Sequence, residues 1–301
     1  MVNPKVAIVM LTWNGREDTL ASLATVERVS YEPRVTVVVD NGSTDGTAGA
    51  IRERFPWVEL VEHERNLGFP GGVNSGIARG RELGAEHFVL LNNDTEVDPG
   101  FVEPLVEAAE EGRVAAVCSK VFFMEPRDAI WFAGASYDPR RGYQGRPTGY
   151  GERDSERFAG VMETDRICGA SVLISGAALE ELGPFDEEFF FYTEDVDWSL
   201  RAHSRGWRLL VVPGSRVWHQ VSAVSGGEGS PVPIYYNLRN SLAVVERHAP
   251  LGPLGTWRRR AVLVGTHALL AARRSWRREG LRAVRDAWSD FRAGRFGERA
   301  S

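Results

Sequence analysis

The chain is poor in sulfur and has no long apolar run. Its two cysteines, Cys118 and Cys168, sit among 301 residues without metal-ligand spacing, and no disulfide framework is implied. A reducing, cytoplasmic setting fits that usage. The start, Met1-Val2-Asn3-Pro4-Lys5, runs directly into a strand-like segment and lacks the charged, apolar and small-residue sections of a secretion signal. Toward the other end, Ala261 to Ala272 leans apolar but contains Gly265, Thr266 and His267, too short and too polar to span a bilayer. Internal repeats and low-complexity tracts are also missing. So is a Gly-x-Gly-x-x-Gly after the first strand, where Thr12-Trp13-Asn14-Gly15-Arg16 stands instead; that argues against a nicotinamide-dependent oxidoreductase.

What is present is a foldable body with an uneven charge. Apolar residues make up 43%, enough for a sizeable core. The formal charge is −5, but from Leu251 onward 12 Arg face 4 Asp or Glu, leaving 24 basic and 37 acidic residues before it. The pattern is an acidic body with a basic tail.

Along the body, strands and helices alternate. Val6–Leu11, Val35–Val39, Trp57–Val61, His87–Leu91 and Val114–Val121 read as strands, several of them continuously apolar and therefore buried on both faces. Helices are expected over 16–29, over 44–55, after the Gly-rich stretch 66–76, and from an Asp98-Pro99 start to about Glu111. The alternation predicts an α/β, doubly wound, mostly parallel sheet, whose ligands bind beyond the carboxyl ends of the strands. Thr12, Asn14, Asp40 and Asp94 all fall at such ends. Trp131 to Phe158 reads as loops or a short hairpin; Ala170–Ile174 and Arg208–Val212 as strands; Gly176–Leu182 and the segment through Arg205 as helices; the tail from about Pro233 as mainly helical.

Four constellations carry chemistry. Asp40, closing Val37-Val38-Val39 before Asn41-Gly42-Ser43, suits a base imide or a ribose hydroxyl, or equally an Asx turn. Asp94, ending Asn92-Asn93-Asp94, suits a hard cation bridging to a diphosphate, or a plain turn. Glu194-Asp195-Val196-Asp197 packs three carboxylates behind Phe189-Phe190-Phe191-Tyr192, so mutual repulsion and partial desolvation favour a general base; a solvated helix start is the plainer reading. His219, in Val217-Trp218-His219-Gln220, suits a metal ligand or an ordinary satisfied histidine. The Gly-rich Asn66 to Gly76 suits backbone approach to phosphate or a tight turn.

Taken in order, these pieces resemble glycosyltransferase family 2 with its GT-A fold, over roughly residues 5 to 245. The resemblance rests on Asp40-Asn41-Gly42-Ser43, Asn66-Leu67-Gly68-Phe69 with Asn74, Leu91-Asn92-Asn93-Asp94, Gly183-Pro184-Phe185-Asp186-Glu187, Glu194-Asp195-Val196-Asp197-Trp198, Gly206, Val217-Trp218-His219 and Tyr236-Asn237-Leu238-Arg239-Asn240. The subgroup it is most similar to is the rhamnosyltransferase and galactofuranosyltransferase type of bacterial polysaccharide synthesis. The resemblance implies an inverting hexosyl transfer to a hydroxyl, in polysaccharide or glycolipid synthesis, with Asp195 as base. It implies Thr12, Asn14, Asp40, Asn41, Asn66 and Gly68 around the nucleotide, and Asp94 and His219 on Mg²⁺ or Mn²⁺. Glu194, Asp197 and Trp198 fall on the acceptor side. Asn92 departs from the family's Asp-x-Asp metal motif, which puts more weight on His219. The donor is a dTDP- or UDP-sugar, with dTDP-rhamnose favoured; the acceptor is a saccharide or a lipid-linked one, and no nucleic acid is expected.

The organisation expected is a transferase domain over 1–245, with a nucleotide half (1–125) and an acceptor and catalytic half (126–245), then a basic helical extension over 246–301. In that extension Leu281, Val284, Trp288 and Phe291 recur at helical spacing among arginines. Such a face suits an anionic membrane, placing the protein peripherally on the inner face of the cell membrane, or else the body or a second subunit as a homodimer. The competing functions are a nucleotidyltransferase, which leaves Glu194-Asp195 and His219 unexplained, and a non-catalytic sugar-nucleotide-binding protein.

Overall fold

The computed structural model describes residues 3–138, 143, 147–220 and 230–299. The first half runs β1 (Val6–Thr12), α1 (Arg16–Val26), β2 (Arg34–Asp40), α2 (Thr47–Arg54), β3 (Glu59–Glu62), α3 (Gly68–Glu82), β4 (His87–Asn92), β5 (Thr95–Val97), α4 (Val102–Ala109) and β6 (Val114–Phe123). There follow β7 (Ile130–Phe132), β8 (Met162–Glu163), β9 (Ser171–Ser175), α5 (Gly176–Leu182), α6 (Glu194–Ser204), β10 (Arg208–His219), α7 (Val232–His248), α8 (Pro253–Ala272) and α9 (Arg277–Arg292).

One ten-stranded sheet orders these strands β3-β2-β1-β4-β9-β6-β10-β5, with β7 beside β6 and β8 beside β10. The pairs β1–β2, β1–β4, β2–β3 and β6–β10 are parallel, while β9 runs antiparallel between β4 and β6. The sheet is thus mixed, and strands from residues beyond 126 are interleaved with those before it. Side-chain alternation divides the core. Val6, Ile8 and Met10 of β1 face a layer with Leu20, Leu23, Phe101 and Leu105; Ala7 and Val9 face another with Val73, Ile77, Leu179 and Trp198. Burial on both faces explains the unbroken apolar run of β1.

Two helix starts differ from the sequence expectation. The Gly-rich stretch is not a loop before a helix; from Gly68 it is the helix α3 itself. A β-carbon on Gly72, Gly76 or Gly80 would stand 2.3 Å from Leu11, 2.4 Å from Val9 or 2.6 Å from Ala7. The glycines at this four-residue spacing let α3 lie directly on β1, and that packing offsets their low helix propensity. Asp98 caps a turn by accepting from the Gly100 amide (3.0 Å), and α4 begins only at Val102.

A third core forms where α7, α8 and α9 pack on Phe189 and Val196. Val284 is buried there and Trp288 and Phe291 are half-buried, so most of the apolar face of α9 seen in the sequence docks on the body; Leu281 stays exposed. Within the Trp131–Phe158 segment, β7 pairs antiparallel with β6, and residues 139–142 and 144–146 lie outside the described residues.

Candidate active site

The strand ends form a rim. Thr12 lies opposite Asp40 in the β1–β2 register, and Leu11 opposite Asn92 in β1–β4. Asp40 is buried, and its Oδ1 accepts from the Ser43 amide at 2.8 Å, the Asx-turn geometry that its sequence suits. Its neighbouring turn is tied to the one after β1: the Asn14 amide donates to Ser43 Oγ (2.9 Å), and Asn14 Oδ1 accepts from the Thr44 amide (2.8 Å). Asn14 has φ +51°, a conformation asparagine tolerates. Thr12 is held from behind by Thr19 (2.7 Å), which Asn93 also reaches (3.0 Å).

Asn41 and Asn66 build the floor. Asn41 Nδ2 donates to Asn66 Oδ1 (2.9 Å) and to the Gly68 carbonyl (3.0 Å), while Asn41 Oδ1 accepts from the Leu67 amide (3.1 Å). Asn66 Oδ1 also accepts from the Gly68 amide (2.8 Å). Asn41 therefore spends its amide on holding this turn in place. Gly68 has φ +79°, and a β-carbon there would lie 2.4 Å from the Phe190 carbonyl, which accepts from the Phe69 amide at 2.7 Å. Only glycine fits this junction between the rim and the loop ahead of α6.

That loop is strained. Phe190, Tyr192 and Thr193 have φ of +60°, +65° and +78°. Asn240 of α7 braces it, donating to the carbonyls of Phe189 (3.0 Å), Phe191 (2.9 Å) and Tyr192 (2.8 Å). Fully buried Arg239 donates to the Phe189 carbonyl (3.1 Å) and holds Asn240 Oδ1 (3.0 Å). The sequence displayed these two only as part of a family pattern; their role depends on a contact about fifty residues away. An Asn240→Ala variant leaves buried carbonyls without a donor, a loss of about 1–3 kcal/mol. It is expected to lower turnover while donor KM changes little, as read from initial rates; unchanged turnover would detach the brace from catalysis.

The loop delivers Glu194 and Asp195 to the start of α6. Burial raises the Glu194 carboxyl above its ordinary range, and the Asp195 charge adds to it. Burial also raises Asp195; Arg166 and the Val196 amide (2.8 Å) pull in the opposite direction. Ser199 Oγ donates to the Asp195 carbonyl (2.6 Å) and accepts from the Ile167 amide (3.1 Å). Residues 166–170 so link α6 to the rim, since the Ala170 carbonyl accepts from the Asn92 amide at 3.0 Å. Arg166 is a lone arginine in a loop, and nothing in the sequence around it marks a role.

Asp197 and Trp198 stand three residues beyond Glu194 and Asp195 on α6 and so share their side of the helix, but their side chains are taken up by other partners. Asp197 is buried between His248 (2.8 Å) and Arg201 (2.9 Å). Burial by itself pushes its carboxyl up, but these partners outweigh it and hold it below the usual range. It lines a cleft of about 550 Å³ with Phe185, Arg201 and Arg247, which Asp195 does not line. Trp198 is wholly buried, stacks on Phe185 (5.8 Å between centroids) and donates to the Gly183 carbonyl (3.2 Å). Its direct surroundings are core.

At the far side of the rim, His219 Nε2 lies 3.0 Å from Asp94 Oδ1, with Asn92 Nδ2 3.4 Å away. Both Asp94 and His219 are buried. Two adjacent ligands on one octahedral ion, each about 2.1 Å from it, would be separated by about 3 Å. The pair thus fits a cation shared with an oxygen-rich ligand, although no described group of three or more His, Cys, Asp or Glu side chains is assembled to hold one alone. Asp18 of α1 also belongs to this neighbourhood: burial first, then the charge of Asp94, raise its carboxyl. Among the described residues, seven buried side-chain atoms have no hydrogen-bond partner, and four of them are Arg166 Nε, Thr193 Oγ1, Glu194 Oε2 and His219 Nδ1. Buried polar atoms are normally paired, so the three beside Asp195 and the one on His219 are available to a polar ligand.

The model of Glycosyl transferase family 2 matches residues 7–160, and that of Glycosyl transferase family group 2 matches residues 87–261. The chain belongs to glycosyltransferase family 2. This glycosyltransferase is 26% identical to the N-acetylglucosaminyl-diphospho-decaprenol L-rhamnosyltransferase of Mycobacterium tuberculosis, over 92% of its own length and 96% of the relative's. It is 28% identical to the O-antigen biosynthesis protein RfbC of Myxococcus xanthus, over 84% of its length but 20% of RfbC. Its fold is similar to that of GalNAc-T7, solved with UDP, GalNAc and Mn²⁺ (TM-score 0.64, 19% identity, 81% of this chain and 48% of that one). It is also similar to that of the mannosyltransferase PcManGT from Pyrobaculum calidifontis, solved with GDP-Man and Mn²⁺ (TM-score 0.59, 18% identity, 97% and 76%). These likenesses bear out the GT-A architecture.

Proposed function

We propose that this glycosyltransferase moves a sugar, with inversion, from a nucleoside diphosphate to an acceptor hydroxyl in bacterial cell-wall polysaccharide synthesis. Rhamnose is the favoured sugar and a lipid-linked diphosphate saccharide the favoured acceptor, both suggested by the mycobacterial relative's name, with dTDP-rhamnose the donor that the family resemblance favours. The observation that carries the reading is the set of unpartnered polar atoms beside Asp195 at the start of α6 and on His219 at the end of β10.

The nucleoside lies against Thr12, Asn14, Asp40 and the Asn66–Gly68 turn, which Asn41 fixes. Asp94 and His219 would hold the divalent cation, whose charge neutralises the departing diphosphate. The acceptor oxygen forms its bond to the anomeric carbon as the bond to diphosphate breaks, and Asp195 takes the hydroxyl proton. Glu194 shapes the proton affinity of the base, and Asp197 and Trp198 support the acceptor side from behind by fixing α6. No helix of the described residues is long and apolar enough to cross a membrane.

The test is a thermal-shift panel of dTDP-, UDP- and GDP-sugars with and without Mn²⁺. A dTDP- or UDP-sugar is expected to raise Tm, more so with Mn²⁺, and Asp94→Ala is expected to abolish the Mn²⁺ increment. A panel without any stabilisation would undo the reading, and an increment unaffected by Asp94→Ala would move the metal elsewhere.

A further inference from the structure

We infer that the outer face of α8 is a docking surface for an anionic lipid bilayer. It is a different face from the α9 stripe that the sequence displays. α8 packs on α7 and α9 through Leu263, His267 and Ala271, which are buried. Its opposite side carries Leu254 (71% exposed), Trp257 (67%), Val262 (55%) and Leu269 (53%). These are residue types that a folded chain normally covers, and they recur at helical spacing as one strip.

Charge identifies the partner. From Ala249 to Arg278 the chain has seven arginines and no Asp or Glu. Arg259 and Arg260 turn back to the body, onto the Ala249 carbonyl and Glu246. Arg258 on α8 stays exposed next to Trp257, and Arg273, Arg277 and Arg278, just past the end of α8, are exposed too. An apolar strip flanked by exposed arginines matches the headgroup and acyl boundary of an anionic membrane, with Trp257 suited to that interface. A second copy of the chain fits less well. A two-fold contact sets this face against itself and brings the arginines together. α8, at 20 residues, is not apolar enough to cross a bilayer, and the docking is therefore contact with its surface. α7, on which α8 rests, also carries Asn240; a lipid-linked acceptor gives the docking a purpose, but the surface stands without that reading.

The experiment is flotation of the full chain with vesicles, without donor or acceptor, so that a failed transfer reaction cannot mask the result. Wild type is expected to float with vesicles containing phosphatidylglycerol and to stay behind with phosphatidylcholine alone. The combined Leu254→Gln, Trp257→Gln, Val262→Gln and Leu269→Gln variant is expected to stay behind with both, at unchanged circular dichroism. Replacing Arg258, Arg273, Arg277 and Arg278 by Gln should weaken partitioning about fivefold per residue. Wild type that does not float, or a glutamine variant that floats like it, overturns the proposal. So does a light-scattering mass that falls from dimer to monomer in the apolar-strip variant, which would assign the face to a second copy.

Discussion

Asp195→Asn is expected to reduce turnover by about 10²–10⁴-fold, the range for losing a positioned general base, while folding and donor binding persist. The amide keeps the shape and can still accept from the Val196 amide, but it cannot take a proton. Because burial raises the Asp195 carboxyl, kcat of the wild type should fall as pH drops through a midpoint above the ordinary aspartate range. Arg166 acts in the opposite direction. Its positive charge favours the ionised form, so Arg166→Gln raises the Asp195 pKa further and moves the acidic limb to higher pH. Rates measured across pH for the three proteins check both statements. Wild-type turnover in Asp195→Asn would remove the base assignment, and an unmoved limb in Arg166→Gln would remove the coupling.

Trp198→Ala is expected to destabilise the fold by about 3–5 kcal/mol, the usual cost of emptying a buried aromatic site. The indole fills the space against Phe185 and donates to the Gly183 carbonyl, so truncation leaves both a cavity and an unmet acceptor. Trp198→Phe keeps most of the packing and should cost less. Urea unfolding of both variants measures this, alongside acceptor KM. A small change in stability with a large rise in acceptor KM would return Trp198 to direct acceptor contact.

Trp198 also shows where sequence reading stops. Its place next to three carboxylates suggests an exposed, reactive surface, but its own helical face turns inward. Other features were legible because they are local. The apolar runs of β1, β2, β4 and β6 announce strands covered on both faces, and the polar residues at their ends announce the rim. The antiparallel insertion of β9 between β4 and β6 was not legible, since it joins segments about eighty residues apart through alternation shared by parallel and antiparallel pairs. The start of α3 is hidden in the sequence because glycine opposes helix locally, whereas its reason here is the approach to Leu11, Val9 and Ala7. Asp40, Asp94, Asp195 and His219 stand out by type and position; Asp18, Arg166 and the Asn240 brace become visible only when the chain folds. The α9 stripe was a fair helical pattern whose partner proved largely to be the body itself.

The central claim is a metal-assisted sugar transfer, and it is tested most directly by supplying dTDP-rhamnose and other nucleotide sugars with a polyprenyl-diphosphate N-acetylglucosamine acceptor and Mn²⁺. Nucleoside diphosphate and glycosylated lipid are followed together. The account predicts equal amounts of both products, an inverted anomeric centre by NMR, suppression by EDTA, and loss in Asp195→Asn. Nucleotide binding without transfer from any donor, or transfer undiminished by EDTA, would contradict it.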